Sequence, residues 1–306
     1  MENASKKVIY AALAGNALIA VTKFIAAAVT GSSAMLSEGI HSVVDTGNEL
    51  LLLYGLHRAQ KPADEHFPFG YGKEVYFWSF VVAIFIFAIG AGVSLYEGLH
   101  HLAHPRPLEH VYANYLVLAL AVLFEGFSWR VALKEFSRQK GRRSYFEAIR
   151  RAKNPSVFVV LFEDSAALLG LLVAFFGILL GQLTGQSWYD GAASIIIGLL
   201  LAGTAIWLAS EIKGLLVGES AQPEIVADIR RRAAARPEIE HVNEILTLHM
   251  GPEFILVNLS VDFDNELSAD QVEKTIQSLD SEIKKAHPLV KKIFIEGEAR
   301  RKQESR

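Results

Sequence analysis

The stretch SEGIHSVVDTGNE, from Ser37 to Glu49, determines how this chain can fold. It places several polar and acidic side chains inside an otherwise apolar run of about residues 33 to 57. A run of that length can cross a hydrocarbon core about 30 Å thick as a helix. A charged side chain at the centre of a membrane helix costs about 2.5–3.5 kcal/mol, so these residues need partners.

The polar side chains of this stretch share one side of the predicted helix. At about 100° of rotation per residue, they fall within roughly a third of its circumference. The set comprises Glu38, His41, Asp45, Asn48 and Glu49. His41 and Asp45 are four residues apart, so both side chains can reach one point.

Five further apolar runs have similar length, near residues 8–30, 74–102, 113–135, 156–181 and 189–212. Together with the run containing Ser37–Glu49, they predict an all-α membrane domain of six transmembrane helices over residues 1–212. The fifth of the six runs carries a second acidic insertion, Glu163 and Asp164.

After about residue 213 the pattern changes to that of a small folded domain. The predicted elements are a helix, two strands, a second helix and a last strand, in the order Pro223–Ala235, Val242–Met250, Phe254–Phe263, Ser268–Ala286 and Lys292–Ile295. Ser268 and Gln271 have the spacing of a capping box at the second helix. We therefore predict a cytoplasmic α+β domain over residues 213–306, of the ferredoxin-like, metallochaperone-like type.

Composition and charge exclude several classes of function. The 306 residues are 51% hydrophobic with a net charge of −3, so no basic excess indicates a nucleic-acid partner. There is no cysteine, which excludes disulfides, thiolate metal sites and cysteine nucleophiles. A bound metal would be held by nitrogen and oxygen ligands, which favours hard or borderline divalent ions.

The short loops differ in basic residues, which predicts the orientation in the membrane. The segment Arg130–Lys153 is rich in Lys and Arg, whereas the loops at 31–32 and 182–188 have none. Both termini are therefore predicted to be cytoplasmic, with the basic segment facing anionic membrane lipids. The start of the chain lacks a signal-peptide or transit-peptide pattern, so we expect a multi-pass protein of the cell (inner) membrane.

A divalent cation explains the buried acids. An imidazole with two or three carboxylates from neighbouring helices makes an N/O site suited to zinc, manganese, iron or cobalt. Metal ligands must be deprotonated, so metal and protons compete for one site, which is the basis of antiport. We therefore predict a transported divalent cation and protons, and no resident cofactor.

Three segments resemble the cation diffusion facilitator family, and the similarity covers nearly the whole chain: Ser37–Asp45, the loop from Pro62 to Lys73, and Leu161–Ala166. The last is similar to the branch of zinc transporters that includes the mitochondrial zinc transporter of animals. The resemblance implies a homodimer, alternating access and zinc export from the cytoplasm against inward protons. It also implies that Asp164 is a ligand.

The resemblance implies another ligand four residues before Asp164, where this chain has Val160. Glu163, Glu38, Asn48 or water could replace it. The predicted metal ligands are His41, Asp45, Asp164, Glu163 and Asn48.

Other interpretations stay open for the same residues. His41 and Asp45 could be a hydrogen-bonded pair that pins helix packing. Asp45 and Asp164 could form the proton-sharing dyad of an intramembrane aspartyl hydrolase, although a dyad has no use for His41, and we do not predict an enzyme. An inert membrane scaffold would leave the buried charges unexplained.

Two isolated charged residues and a group of histidines are the remaining polar features of the predicted membrane domain. Lys23 in the first run is interpreted as a snorkelling or charge-pairing residue, with Glu163 as one candidate partner. Glu125 is interpreted as a partner of Arg130, with a role in proton transfer as the alternative. The histidines at the end of the third run and in the loop that follows it are interpreted as solvated rather than as a second metal station. They are His100, His101, His104 and His110.

Overall fold

A computed structural model describes residues 2–104, 111–140 and 144–300. They form two compact units. The first comprises the described residues of 1–60 and 74–213, and the second those of 61–73 and 214–306.

The first unit is helical. Its helices are α1 Glu2–Thr30, α2 Ser33–Arg58, α3 Glu74–Phe85, α4 Gly92–Ala103, α5 Val111–Lys140, α6 Tyr145–Arg151, α7 Pro155–Thr184 and α8 Trp188–Val217, whose last residues belong to the second unit. A π-helical segment, Ile86–Ala91, joins α3 and α4 into one continuous rod. The six predicted runs thus correspond to α1, α2, α3 with α4, α5, α7 and α8.

Within the part of the chain that the structure describes, five helical spans are long and apolar enough to cross a membrane: Val8–Thr30, Glu74–Ala103, Asn114–Arg138, Pro155–Thr184 and Trp188–Val217. Helix α2 has 26 residues, which corresponds to about 39 Å. Its polar insertion lowers its apolar character, but those polar side chains are buried against other helices. The six-helix membrane fold is therefore confirmed, and the chain is a multi-pass membrane protein.

Burial in this unit is arranged as a membrane requires. Large apolar side chains such as Leu123, Phe127, Leu172, Phe176 and Ile206 are exposed on the outside, where lipid would cover them. The acids predicted to lie in mid-membrane are buried inside the bundle. That placement agrees with the rule that intramembrane charges face the interior of a helix bundle.

Local sequence signals set the helix ends near the predicted site. Gly31 has a φ of 69°, and the side chain of Ser32 accepts a hydrogen bond from Met35 N, so α2 begins at Ser33. Asn154 caps α7 in the same way, and Pro155 occupies its first position. These signals fix where the two acid-bearing helices begin.

The second unit contains α9 Pro223–Ala234, β1 Ile239–Gly251, β2 Phe254–Phe263, α10 Ala269–Ala286 and β3 Val290–Gly297. Strand β2 is central, antiparallel to β1 and parallel to β3. All five predicted elements are confirmed, with β1 starting three residues earlier and β3 two residues earlier than predicted. The capping box of Ser268 and Gln271 is also present.

The core of this unit lies between the sheet and its two helices. Ile229 of α9 and Ile283 of α10 are buried with Val257 and Leu259 of β2. The segment 61–73 belongs to the same unit, because Gly72 lies against the hairpin between β1 and β2. A Cβ atom on Gly72 would come within 2.5 Å of the carbonyl oxygen of Met250, so the approach requires glycine.

Candidate functional site

Helices α2 and α7 bring four of the five predicted ligands together. His41 Nδ1 lies 3.2 Å from Asp45 Oδ1, one helical turn away. Asn48 donates through Nδ2 to Glu163 Oε1 at 2.6 Å. The carboxyl groups of Asp45 and Glu163 lie within hydrogen-bonding reach of each other across the two helices. His41, Asp45, Asn48 and Glu163 are all buried, so this is an enclosed polar group.

Asp164, the fifth predicted ligand, is held by a different partner. Its Oδ2 accepts a hydrogen bond of 2.7 Å from Ser128 Oγ on α5. Glu163 and Asp164 are consecutive in a helix, so their side chains leave it about 100° apart. The acidic insertion of α7 therefore serves two neighbours, α2 through Glu163 and α5 through Asp164.

The observed arrangement consists of hydrogen-bonded pairs. Within residues 2–104, 111–140 and 144–300, no group of three or more His, Asp or Glu side chains is arranged to hold a metal ion. A small rotation about side-chain bonds would redirect a carboxylate oxygen from an amide or a hydroxyl to a cation. The five-residue ligand set therefore stays a prediction. Four of its members, His41, Asp45, Asn48 and Glu163, lie next to one another, whereas Asp164 is bound to Ser128.

Two polar residues beside this group were missed by the sequence reasoning. Asn16 on α1 donates through Nδ2 to Glu49 Oε1 at 2.7 Å, and Ser128 holds Asp164 as described. Both are buried. An amide inside the apolar run of α1 is a detectable signal for Asn16, but a serine in a membrane helix is too common to indicate a role for Ser128.

Lys23 does not pair with Glu163, one of its predicted partners. Its Nζ lies 3.1 Å from Glu38 Oε2 and 3.6 Å from Glu125 Oε1, and it donates to Ser42 Oγ at 2.9 Å. The expected pairing of Glu125 with Arg130 is therefore wrong, because Glu125 lies inside the bundle beside Lys23. Glu38, another candidate replacement ligand, accepts from the lysine through Oε2.

The charge balance of the bundle centre requires protons or cations. The residues described there include six buried carboxylates and one buried ammonium, an excess of five negative charges if every group is ionised. The groups are Glu38, Asp45, Glu49, Glu125, Glu163 and Asp164 against Lys23. Each ion buried without compensation costs several kcal/mol. The group can therefore bind protons, a divalent cation, or each in turn.

The histidines at the other end of the bundle have structural contacts. His101 Nδ1 lies 3.2 Å from Asp190 Oδ2, and Asp190 also accepts hydrogen bonds from Ser32 Oγ and Ala34 N. The rings of His100 and His104 contact each other with their centroids 4.9 Å apart and their planes tilted by 33°. His110 lies outside the described residues. These contacts tie α2, α4 and α8 together at that end of the bundle.

Comparison with known proteins decides the family. A model of the cation efflux transmembrane domain matches residues 9–217, which include every residue of the polar group. The chain belongs to the cation diffusion facilitator family. This confirms the resemblance drawn from Ser37–Asp45 and Leu161–Ala166, and it supports a transporter rather than an intramembrane hydrolase.

Several relatives within this family carry names that state a substrate. The proton-coupled zinc antiporter SLC30A9, mitochondrial, of Xenopus laevis is 34% identical over 264 residues, 85% of this chain and 47% of the relative. The protein of that name from Homo sapiens is 33% identical over 264 residues, 85% and 46%. The manganese efflux system protein MneP of Bacillus subtilis is 22% identical over 300 residues, 96% of each chain. This chain thus spans about half the length of the two zinc antiporters.

The structure shows the surroundings of Val160, where this chain departs from the family pattern, and of the loop segment 61–73. Val160 is 1% exposed among apolar neighbours, so α7 offers no ligand one turn before Asp164. In the segment 61–73, Asp64 accepts from Tyr71 OH at 2.6 Å and from the backbone N–H groups of His66 and Phe67. These bonds, led by that of Tyr71, lower the pKa of Asp64, and they engage its carboxylate within the loop.

The histidines of the second unit are separate from one another. His287 Nε2 lies 2.7 Å from Asp228 Oδ2, and Arg232 also binds that carboxylate. The hydrogen bonds from Arg232 and then His287 lower the pKa of Asp228. His241 is exposed on β1, and His249 is buried in the same strand. His287 therefore has a structural role in joining α9 to the end of α10.

Proposed function

We propose that this chain is a proton-coupled antiporter that exports divalent metal, with zinc as the principal substrate. The cation is held between α2 and α7 by His41, Asp45, Glu163 and Asn48, with Asp164 joining when it leaves Ser128. The observation that carries this proposal is the facing pair of buried carboxyl groups, Asp45 and Glu163, on two helices. Two carboxylates this close require a shared proton or a cation between them.

Exchange follows from the chemistry of these ligands. A divalent cation needs carboxylates and a neutral imidazole, whereas protons neutralise the same oxygens when the cation leaves. His41 supplies an imidazole nitrogen to the cation, so the site combines one nitrogen ligand with carboxylate oxygens. The bound cation and the bound protons each offset the buried negative charge. The site then opens to one side of the membrane with the cation bound and to the other side with protons bound.

We further propose the direction and membrane of transport. The basic segment Arg130–Lys153 supports a cytoplasmic location for that side of the bundle, for both termini and for the second unit, and it supports contact with anionic lipids. The proposed membrane is the cell (inner) membrane, although the zinc antiporters named above are mitochondrial. Fractionation of the membranes of the source cell tests this, since recovery in an organelle fraction would contradict it.

The experiment that tests the function is a flux assay in proteoliposomes with a panel of zinc, manganese, iron(II) and cobalt. We expect zinc to move against an imposed pH gradient and to release protons when it binds. Manganese is the second candidate, because the Bacillus relative is named for manganese efflux and the N/O ligands accept it. Metal flux that does not respond to the pH gradient would remove the antiport proposal.

We also propose that the protein is a homodimer in which the open face of the sheet contacts a second copy. Leu246 of β1 and Phe294 of β3 are 55% and 47% exposed. Both are aligned with Asn258 of β2 across the sheet, on the face away from the buried core. Two large apolar side chains exposed on one face of a small folded domain support a protein contact there.

The prediction for this face is that Leu246→Glu converts the detergent-solubilised dimer to a monomer, because a carboxylate at the centre of the contact would be desolvated. Light scattering after size-exclusion chromatography measures the mass. Ser278→Glu, at an exposed position of α10, is the matched control and should leave the mass unchanged. A Leu246→Glu protein that keeps the mass of two copies would place the dimer contact elsewhere.

A further inference from the structure

A second polar cluster lies in the same bundle, formed by Lys23 on α1, Glu38 and Ser42 on α2, and Glu125 on α5. Lys23, Glu38, Ser42 and Glu125 have no measurable exposure. The ammonium group of Lys23 donates to Glu38 and to Ser42, at 3.1 and 2.9 Å. Its distance of 3.6 Å to Glu125 Oε1 is that of an ion pair without a hydrogen bond.

The cluster has one more carboxylate than it has ammonium groups. Lys23 and Glu38 form a neutral pair, which leaves the charge of Glu125 without a full partner. Among the described residues, neither oxygen of Glu125 has a hydrogen-bond partner. An unpaired carboxylate in a bundle interior is strongly disfavoured. With no cation nearby, the cluster is therefore neutral only when Glu125 carries a proton.

Glu125 is placed to respond to charge at the metal site. Ser128, three residues further along α5, donates to Asp164. The charged groups that act on Glu125 are, by helix, Lys23 on α1, Glu38, Asp45 and Glu49 on α2, and Glu163 and Asp164 on α7. All of these except Lys23 are acidic, so a divalent cation among them reduces the negative charge that surrounds Glu125.

We propose that Glu125 binds one of the protons that this transporter exchanges for metal, at a position separate from the metal ligands. The inference rests on the proposed antiport function and deepens it. Without metal, Glu125 is protonated beside the neutral Lys23–Glu38 pair. When the cation binds between α2 and α7, its two positive charges favour the carboxylate of Glu125, and the proton leaves to water on the side from which the metal entered.

The test compares Glu125→Gln with the unsubstituted protein in proteoliposomes whose membrane potential is clamped. Each coupled proton changes the steady-state zinc ratio about tenfold per pH unit. We expect Glu125→Gln to retain zinc binding and zinc flux, to release one fewer proton per zinc, and to lose about tenfold of accumulation per pH unit. Glu135→Gln, on the same helix but half-buried near its end, is the control and should behave as the unsubstituted protein.

The outcomes separate this inference from the proposed function. If the unsubstituted protein exchanges zinc for protons and Glu125→Gln does so with the same proton count, the assignment to Glu125 is overturned while the antiport stands. If Glu125→Gln is folded but no longer binds zinc, Glu125 belongs to the metal site and the assignment also fails. If the unsubstituted protein shows no proton-linked flux, the proposed function fails and the assignment with it.

If the Glu125→Gln protein does not fold, infrared spectroscopy tests the assignment without it. Zinc binding to the unsubstituted protein should remove a band of a protonated carboxyl group. In Glu125→Asp, which keeps a carboxyl group in place, that band should shift in frequency. A zinc-induced difference spectrum that is the same in both proteins would show that the proton lies on another group.

Discussion

Asp45→Asn is expected to abolish zinc transport while the helix bundle stays folded. Asparagine has nearly the same shape and keeps one oxygen for His41, so packing is preserved. The substitution removes one negative charge from a group with an excess of buried acids, which favours the folded state. The cation, however, loses a carboxylate that faces both His41 and Glu163. Substitutions next to metal ligands cost about 10–100-fold in affinity, and loss of a ligand should exceed that.

Zinc affinity by calorimetry and zinc flux in proteoliposomes measure the effect of Asp45→Asn. The matched control is Glu97→Gln, a carboxylate of the same bundle that lines a separate cavity with His100 and His104. It should retain both affinity and flux. Normal flux in a folded Asp45→Asn protein would remove Asp45 from the transport site.

Glu163→Gln is expected to have the second largest effect on zinc binding. A large effect would show that the acid at 163, and not Asp164 alone, serves as a ligand on α7. Glutamine keeps an oxygen for the Asn48 amide, so the contact of 2.6 Å between α2 and α7 can persist. The charge opposite Asp45 is lost. We expect a fall in zinc affinity of more than about tenfold and fewer protons released per zinc bound, measured with a pH indicator during zinc titration.

A conservative change separates charge from packing at this position. Glu163→Asp keeps the carboxylate on a shorter side chain and should retain part of the zinc affinity that Glu163→Gln loses. Glu211→Gln on α8 is the control for a glutamate elsewhere in the bundle. An affinity and proton count for Glu163→Gln equal to those of the unsubstituted protein would make Glu163 a bystander and leave Asp164 as the acid of α7.

The sequence was sufficient for those features of the fold that depend on local patterns. Apolar run length predicted the six helical spans, and period-two alternation with a capping box predicted the order of elements in the second unit. The spacing of His41 and Asp45 predicted that they lie on one face, because i and i+4 positions coincide on any α-helix. These inferences need no knowledge of neighbouring elements.

The partners of the buried charges could not be predicted, because they depend on how each helix is rotated against the others. Consecutive acids at 163 and 164 necessarily diverge, but only the packing of α5 decides that Asp164 meets Ser128. Lys23 likewise had several acids within reach of its long side chain. Its pairing with Glu38 and Glu125 is set by the contact of α1 with α2 and α5.

The most direct test of a divalent cation held between α2 and α7 is X-ray absorption at the zinc edge on the zinc-loaded protein and its Asp45→Asn variant. We predict nitrogen and oxygen ligands at about 2.0–2.2 Å, with the multiple scattering of one imidazole, and loss of that signal in the variant at equal zinc. A spectrum without imidazole, or one identical in both proteins, would contradict the site proposed for His41 and Asp45.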